Sequence, residues 1–313
     1  MSGHWATARE AGVLAGMRFM ICVNSKVGRG AFTFLLAFVM AYFYLRRGAG
    51  RRASRQYLAR VRRRYPQALR KAPLVWLSYR QFFTFGQALL DKYLAWAETP
   101  DRIAMDPDEE KTLFDAAASG HGCLLIGSHF GNLEYSRGIA HRHPNLVINV
   151  LMYDRHALKF AAILEQGDPE SRMNLIQVTD VDFELALKLR AKVDRGEWVV
   201  IAGDRVPVGE DGRVCEATFL GDKARFPVGP YVLASLLQCP VYLLHCFRLR
   251  GEYHLGLEHF AERIEARSGD RQAVYRRHAQ AFATALEKQV VREPLQWFNF
   301  FDFWAGCPSV TNE

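Results

Sequence analysis

His129 and Glu134 stand five positions apart in His129-Phe130-Gly131-Asn132-Leu133-Glu134, directly after the apolar run Cys123-Leu124-Leu125-Ile126-Gly127. An imidazole in a turn with a carboxylate close behind suits a base that takes a proton from a hydroxyl. The acid would hold the other ring nitrogen, fix the tautomer and stabilise the imidazolium once it forms. On one continuous helix, side chains at this spacing would lie about 140° apart and would not meet. With His129 in a turn and Asn132 beginning a helix, both can face a cleft at a strand's carboxyl end, where open α/β sheets bind ligands. A structural histidine beside a chance neighbour is the alternative that the spacing alone leaves open.

The elements around this motif alternate. Residues 54–72 and 76–96 have helical spacing, the second rich in Phe, Leu and Tyr, and 108–118 reads as a short helix before a strand at 123–127. Further strands are expected at 146–152, 174–178, 198–202, 241–247 and 253–257, with a helix over 182–195. This pattern predicts an α/β fold: a mixed, mostly parallel sheet flanked by helices. Gly-x-Gly-x-x-Gly, the Walker phosphate loop and Gly-x-Ser-x-Gly do not occur, which argues against dinucleotide, nucleotide and serine-hydrolase chemistry.

The chain has 313 residues, 50% hydrophobic and 24% charged, with a formal net charge of +8. A large core is affordable and global disorder is not expected. Six cysteines, Cys22, Cys123, Cys215, Cys239, Cys246 and Cys307, are scattered without a Cys-x-x-Cys pair. Reduced thiols in a cytoplasmic setting are the expectation, with no zinc ribbon, no other metal and no cofactor.

Much of the positive charge is concentrated. Residues 31–45 carry no charge and as a helix would be about 22 Å long, short of the roughly 30 Å hydrocarbon core of a bilayer. Arg46, Arg47, Arg51, Arg52, Arg55, Arg60, Arg62, Arg63, Arg64, Arg70 and Lys71 follow with no acidic residue between them. Anionic lipid attracts such a segment by about 1 kcal/mol per basic residue. Residues 1–72 are therefore expected to form a membrane-associating segment, dipping into or marginally spanning the bilayer, ahead of a catalytic α/β domain over 73–313. A solvated arginine face is the plain alternative, and a nucleic-acid arm is disfavoured because no recognition motif accompanies it.

With these residues in hand, the chain resembles the lysophospholipid acyltransferase superfamily, in particular the branch of bacterial lipid A late acyltransferases. His129 to Glu134 match the His-x4-Asp/Glu signature in its Glu form. Met152-Tyr153-Asp154-Arg155 falls where a Tyr-Arg pair is expected, and Glu197 to Arg205 resembles a strand ending in an acidic turn, which puts Asp204 at a family acidic position. Phe219-Leu220-Gly221 with Pro227 and Gly229 resembles a Phe-x-Gly segment, Ala234 to Leu244 a small-residue helix and strand, and Pro294-Leu295-Gln296-Trp297 a Gln-Trp closing segment. The Pro-Glu-Gly-Thr phosphate block of glycerol-phosphate acyltransferases is missing, and the acidic turn reads Asp204-Arg205-Val206 rather than Asp-x-Asp.

The resemblance implies a membrane-associated enzyme at the cytoplasmic face of a bacterial inner membrane. It would move a fatty acyl group from a thioester, on acyl carrier protein or coenzyme A, to a hydroxyl of a lipid. The acceptor stays open between lipid A, phospholipid and aryl-polyene-type lipids. His129 would be the general base and Glu134 its orienting acid, with backbone N–H groups near Gly131 as donors to the oxyanion. Arg155, Asp204, Arg205 and Arg172 would contact substrate, the arginines through phosphate or carboxylate. An acyl thioesterase, or a catalytically silent membrane-surface adaptor, is the competing expectation.

Overall fold

The computed structural model describes residues 22–69, 71–97, 103–133, 146–152, 173–178, 183–206, 213–267 and 269–306. Helix α1 (Arg29–Arg46) buries Phe32, Leu36, Met40 and Tyr44, a stripe at four-residue spacing, against Phe82 and Leu90 of α3 (Leu74–Ala97). Gly86 of α3 permits this approach, since a Cβ there would lie 2.9 Å from both Leu36 and Met40 side chains. The uncharged run expected to dip into or span a bilayer is thus half committed to protein packing. Its other face, with Phe34, Phe38, Tyr42 and Leu45, is exposed. Among the described residues, no helix is long and apolar enough to cross a membrane.

Helix α2 (Gly48–Arg64) carries most of the arginine run and still contributes to the main core. Its Tyr57, Leu58 and Val61 are buried there, while Arg52, Arg63 and Arg64 face outward. Polar contacts lock it in place: Ser54 donates to Gln81 at 2.6 Å, and Tyr57 Oη donates to the Pro294 carbonyl at 2.7 Å. Helix α4 (Pro107–Ala118) starts where the sequence predicts, with the Asp106 carboxylate accepting from the Asp108 N–H.

The strands are β1 (Leu124–Gly127), β2 (Ile148–Met152), β3 (Met173–Gln177), β4 (Trp198–Ala202), β5 (Val214–Phe219), β6 (Asp222–Pro227), β7 (Val241–Leu249) and β8 (Glu252–Ala261). Helices α5 (Phe183–Val193), α6 (Gly229–Leu237) and α7 (Arg271–Arg292) complete the described elements. The sheet runs β3-β2-β4-β1-β7-β8, parallel throughout except for the β7–β8 pair. β1 is covered on both faces and is buried at every position, which is why it reads as an unbroken apolar run. On one face Leu124, Ile126 and Leu243 pack with Phe282 and Leu286 of α7, and on the other Leu125, Leu244 and Leu257 pack with Leu113 and Ala116 of α4. The fold is the expected mixed α/β sheet between helices.

The antiparallel hairpin β5–β6 and the long helix α7 were not among the expected elements. The hairpin turns at Leu220 (φ 54°) and Gly221 (φ 86°), so both central residues adopt a left-handed conformation. A leucine seldom does so, and no Asn-Gly or Asp-Gly marks the turn. Asp222, which follows, is buried and accepts from Arg60 Nε and Arg63 Nη2 at 2.7 Å each, tying α2 to this hairpin. Arg63 is largely exposed and contributes little, whereas Arg60 is only 19% exposed. Asp222→Ala is expected to destabilise the protein by about 1–3 kcal/mol, because it leaves the Arg60 guanidinium half-buried without its counter-charge. Urea unfolding checks this, and a loss of only a few tenths would show the pair to be structurally neutral.

Candidate functional site

Parallel register puts the site together. β1 and β4 are neighbours with Gly127 opposite Ala202, and the Gly203 N–H continues the ladder onto the Gly127 carbonyl at 2.8 Å. His129 and Asp204 each lie two residues beyond those paired ends, so they emerge side by side at the carboxyl edge of the sheet. His129 Nδ1 stands 2.7 Å from Asp204 Oδ1, and the His129 backbone N–H donates to Asp204 Oδ2 at 2.8 Å. The Trp297 indole N–H donates to the same Oδ2 at 2.9 Å. Asp204 is buried while the His129 side chain is 34% exposed, and among the described residues its Nε2 has no hydrogen-bond partner. The dyad therefore presents one ring nitrogen outward and anchors the other on a buried carboxylate.

Burial by itself pushes the Asp204 carboxyl up. Attraction to His129, hydrogen bonds from its ring and backbone, and the nearby Arg205 outweigh that effect, so Asp204 is held below the usual carboxylate range. A carboxylate kept ionised beside Nδ1 holds the proton there and leaves Nε2 as the basic nitrogen.

The loop that carries His129 is stitched down on all sides. The Gly131 N–H donates to the Gln296 carbonyl at 2.8 Å, the Asn132 N–H to the Cys246 carbonyl at 2.6 Å, and the Phe130 N–H to Ser128 Oγ at 3.3 Å. The N–H groups near Gly131, expected as oxyanion donors, thus already have partners within the protein. Gly131 itself has φ 71°, and a Cβ there would overlap the Cys246 carbonyl, so only glycine fits this crossing. The Gln296 side chain pairs with both backbone groups of Arg248, accepting at 2.8 Å and donating at 2.6 Å. Segment 296–298 is in this way bonded to both the β7 strand and the His129 loop.

Of the expected site residues, the structure brings His129, Asp204 and Arg205 together. Arg205 Nη2 donates to the Phe298 carbonyl at 3.0 Å, and its guanidinium lies over the Phe301 ring at 5.9 Å. Glu134, Arg155 and Arg172 lie outside the described residues. Asp204, expected as a substrate contact, is the group bonded to Nδ1. Trp297 was visible in the sequence only as part of a closing segment, and nothing in its spacing announces a bond to an acid 93 positions earlier.

A titratable pair, buried His245 and half-buried Glu109, flanks the loop. His245 on β7 lies 3.6 Å from Glu109 of α4, and both pack against Gly256, where a Cβ would overlap them. Burial, helped by Arg292, lowers the His245 imidazole to about 4, and burial with Asp106 and Glu258 raises the Glu109 carboxyl to about 7. The two act oppositely. A raised carboxyl favours the fold most below its ordinary 4.5 and loses that advantage as pH rises towards about 7. A lowered imidazole gives full stability above its ordinary 6.5, and this is lost as pH falls towards about 4. Glu109→Gln should accordingly raise the melting temperature at about pH 8 but not at about pH 4.5, flattening the alkaline side of the stability profile. An equal shift at both values would show that ionisation of Glu109 is not the cause.

Residues 4–305 match the family model described as bacterial lipid A biosynthesis acyltransferase. No individually curated protein matches the chain.

Proposed function

From a chain that belongs to the bacterial lipid A biosynthesis acyltransferase family, and is therefore an acyltransferase, we propose an enzyme that moves a fatty acyl group from a thioester to a lipid hydroxyl with His129 as general base. The observation that carries this reading is the 2.7 Å contact between His129 Nδ1 and buried Asp204, which leaves Nε2 facing outward. Nε2 takes the proton of the acceptor hydroxyl as its oxygen attacks the thioester carbonyl carbon. The tetrahedral oxyanion collapses, the C–S bond breaks, and the leaving thiolate takes the proton back from the imidazolium. Asp204 stabilises that imidazolium during the step. Glu134, the acid of the His-x4-Glu signature, is assigned to the same functional unit. Arg205, with Arg155 and Arg172, would bind phosphate or carboxylate of the substrate through paired N–H donors.

The donor is proposed to be an acyl carrier protein or coenzyme A thioester, and the acceptor a lipid of the inner membrane reached from its cytoplasmic face. Support for the membrane comes from the exposed Phe34, Phe38, Tyr42 and Leu45 of α1, beside Val75 and Trp76 of α3. Between those two helices runs an apolar groove of about 360 Å³, bounded by Ala41, Tyr44, Leu45, Pro73, Val75, Trp76 and Tyr79. Arg46, Arg47 and Arg52 are exposed next to this face, which suits an anionic bilayer surface. Replacing Phe34 and Phe38 together by Ser should weaken partition onto phosphatidylglycerol vesicles by at least about 10²-fold, since each buried Phe contributes roughly 1.5–3 kcal/mol. Unchanged partition would remove this face from membrane docking.

The activity test follows a labelled acyl thioester in the presence of bilayer vesicles. Label is expected in lipid, and label appearing only as free acid would mean a thioesterase. His129→Ala should lower transfer by at least about 10²-fold. Asp204→Asn and Glu134→Ala should each be severely impaired, and neither loss should add to that of His129→Ala, because residues that act as a unit are not additive. Near-normal transfer by folded His129→Ala would end the proposal.

A further inference from the structure

We propose that Trp297 is a positioning residue for acyl transfer, whose indole N–H aims the Asp204 carboxylate at His129. This rests on the reading of Asp204 as the partner of the catalytic imidazole. Asp204 is only 1% exposed, so water cannot serve as a ready donor to its oxygens. Oδ1 meets His129 Nδ1, while Oδ2 accepts from the His129 backbone N–H at 2.8 Å and from Trp297 Nε1 at 2.9 Å. The two donors on Oδ2 come from different directions of the chain and together fix the plane of the carboxylate. With one of them gone the group can rotate, and the Nδ1 bond loses its alignment.

The indole is itself held without slack. Its ring packs edge-on to Tyr57 (5.0 Å), Phe219 (5.2 Å) and Phe303 (5.0 Å), and the residue is fully buried. Its carbonyl accepts from Gln81 Nε2 at 2.6 Å, and the next N–H, that of Phe298, donates to the His129 carbonyl at 2.9 Å. The strap therefore grips the His129 backbone with one residue and the acid with the other. A single rigid body sets both halves of the dyad. The titratable groups facing Asp204 are His129 and Arg205, and Trp297 adds a neutral donor that leaves the charge balance unchanged.

Proton transfer to Nε2 places a positive charge on the ring that this carboxylate faces, so losing the alignment should fall on turnover and leave substrate affinity alone. Trp297→Phe keeps the aromatic packing and removes the N–H. It is expected to lower kcat about ten-fold, the scale of one lost hydrogen bond to a charged group, with KM within about two-fold. In an Asp204→Asn background the same change should cost kcat nothing further. Phe219→Leu perturbs the same ring cluster without touching the N–H and should keep kcat at equal or greater loss of thermal stability. If Trp297→Phe does not fold, benzothienylalanine at position 297, which replaces only the N–H by sulfur, carries the same expectation. Full kcat in either variant, a rise in KM with kcat kept, or an equal further loss in the Asp204→Asn background would overturn the proposal. Full activity of Asp204→Asn by itself would instead show that the underlying assignment of the dyad is wrong.

Discussion

One hydrogen bond organises the site, that between His129 Nδ1 and Asp204 Oδ1 at 2.7 Å. It exists because β1 and β4 are adjacent, parallel and in register, so that residues two past each strand end arrive together. A parallel sheet points all its carboxyl ends the same way, and that edge is where open α/β sheets bind ligands. The half-buried imidazole and the fully buried acid then have different surroundings, and the acid is held below the usual carboxylate range by its hydrogen bonds and neighbouring charges.

Rigidity around the dyad comes from a part of the chain far from it in sequence. Segment 296–298 binds the Gly131 N–H, the His129 carbonyl, the Asp204 carboxylate and, through Gln296, both backbone groups of Arg248. Helix α3 reaches the same segment through Gln81, which donates to the Trp297 carbonyl, and α2 reaches the adjoining Pro294 carbonyl through Tyr57. The basic N-terminal helices are thus structural supports of the site as well as carriers of charge. Arg52 and Arg64 lie exposed on the outer face of α2, while Arg60 turns inward to Asp222 and the Trp304 ring.

The apolar face of α1 and the groove beside α3 sit outside this hydrogen-bonded frame. Four-residue spacing on one side of α1 satisfies its neighbours, and aromatic side chains on the other side have no protein to cover them among the described residues. Contiguous exposed aromatics are costly in water, so a greasy substrate or bilayer surface gives this arrangement a physical sense.

By itself, the sequence determined the alternation of strands and helices, the buried centre at 124–127 and the candidacy of His129, because hydrophobic period and turn residues are local properties. The same locality explains why residues 31–45 read as a membrane segment: an uncharged run looks alike whether it faces lipid or another helix. Only the tertiary structure decided that Asp204 holds the imidazole, that the N–H groups of the His129 loop are already bonded, and that Trp297 reaches the acid. Each of these joins residues tens of positions apart, and strand order and register, which bring them together, are set by the packing of the whole sheet rather than by any stretch of chain.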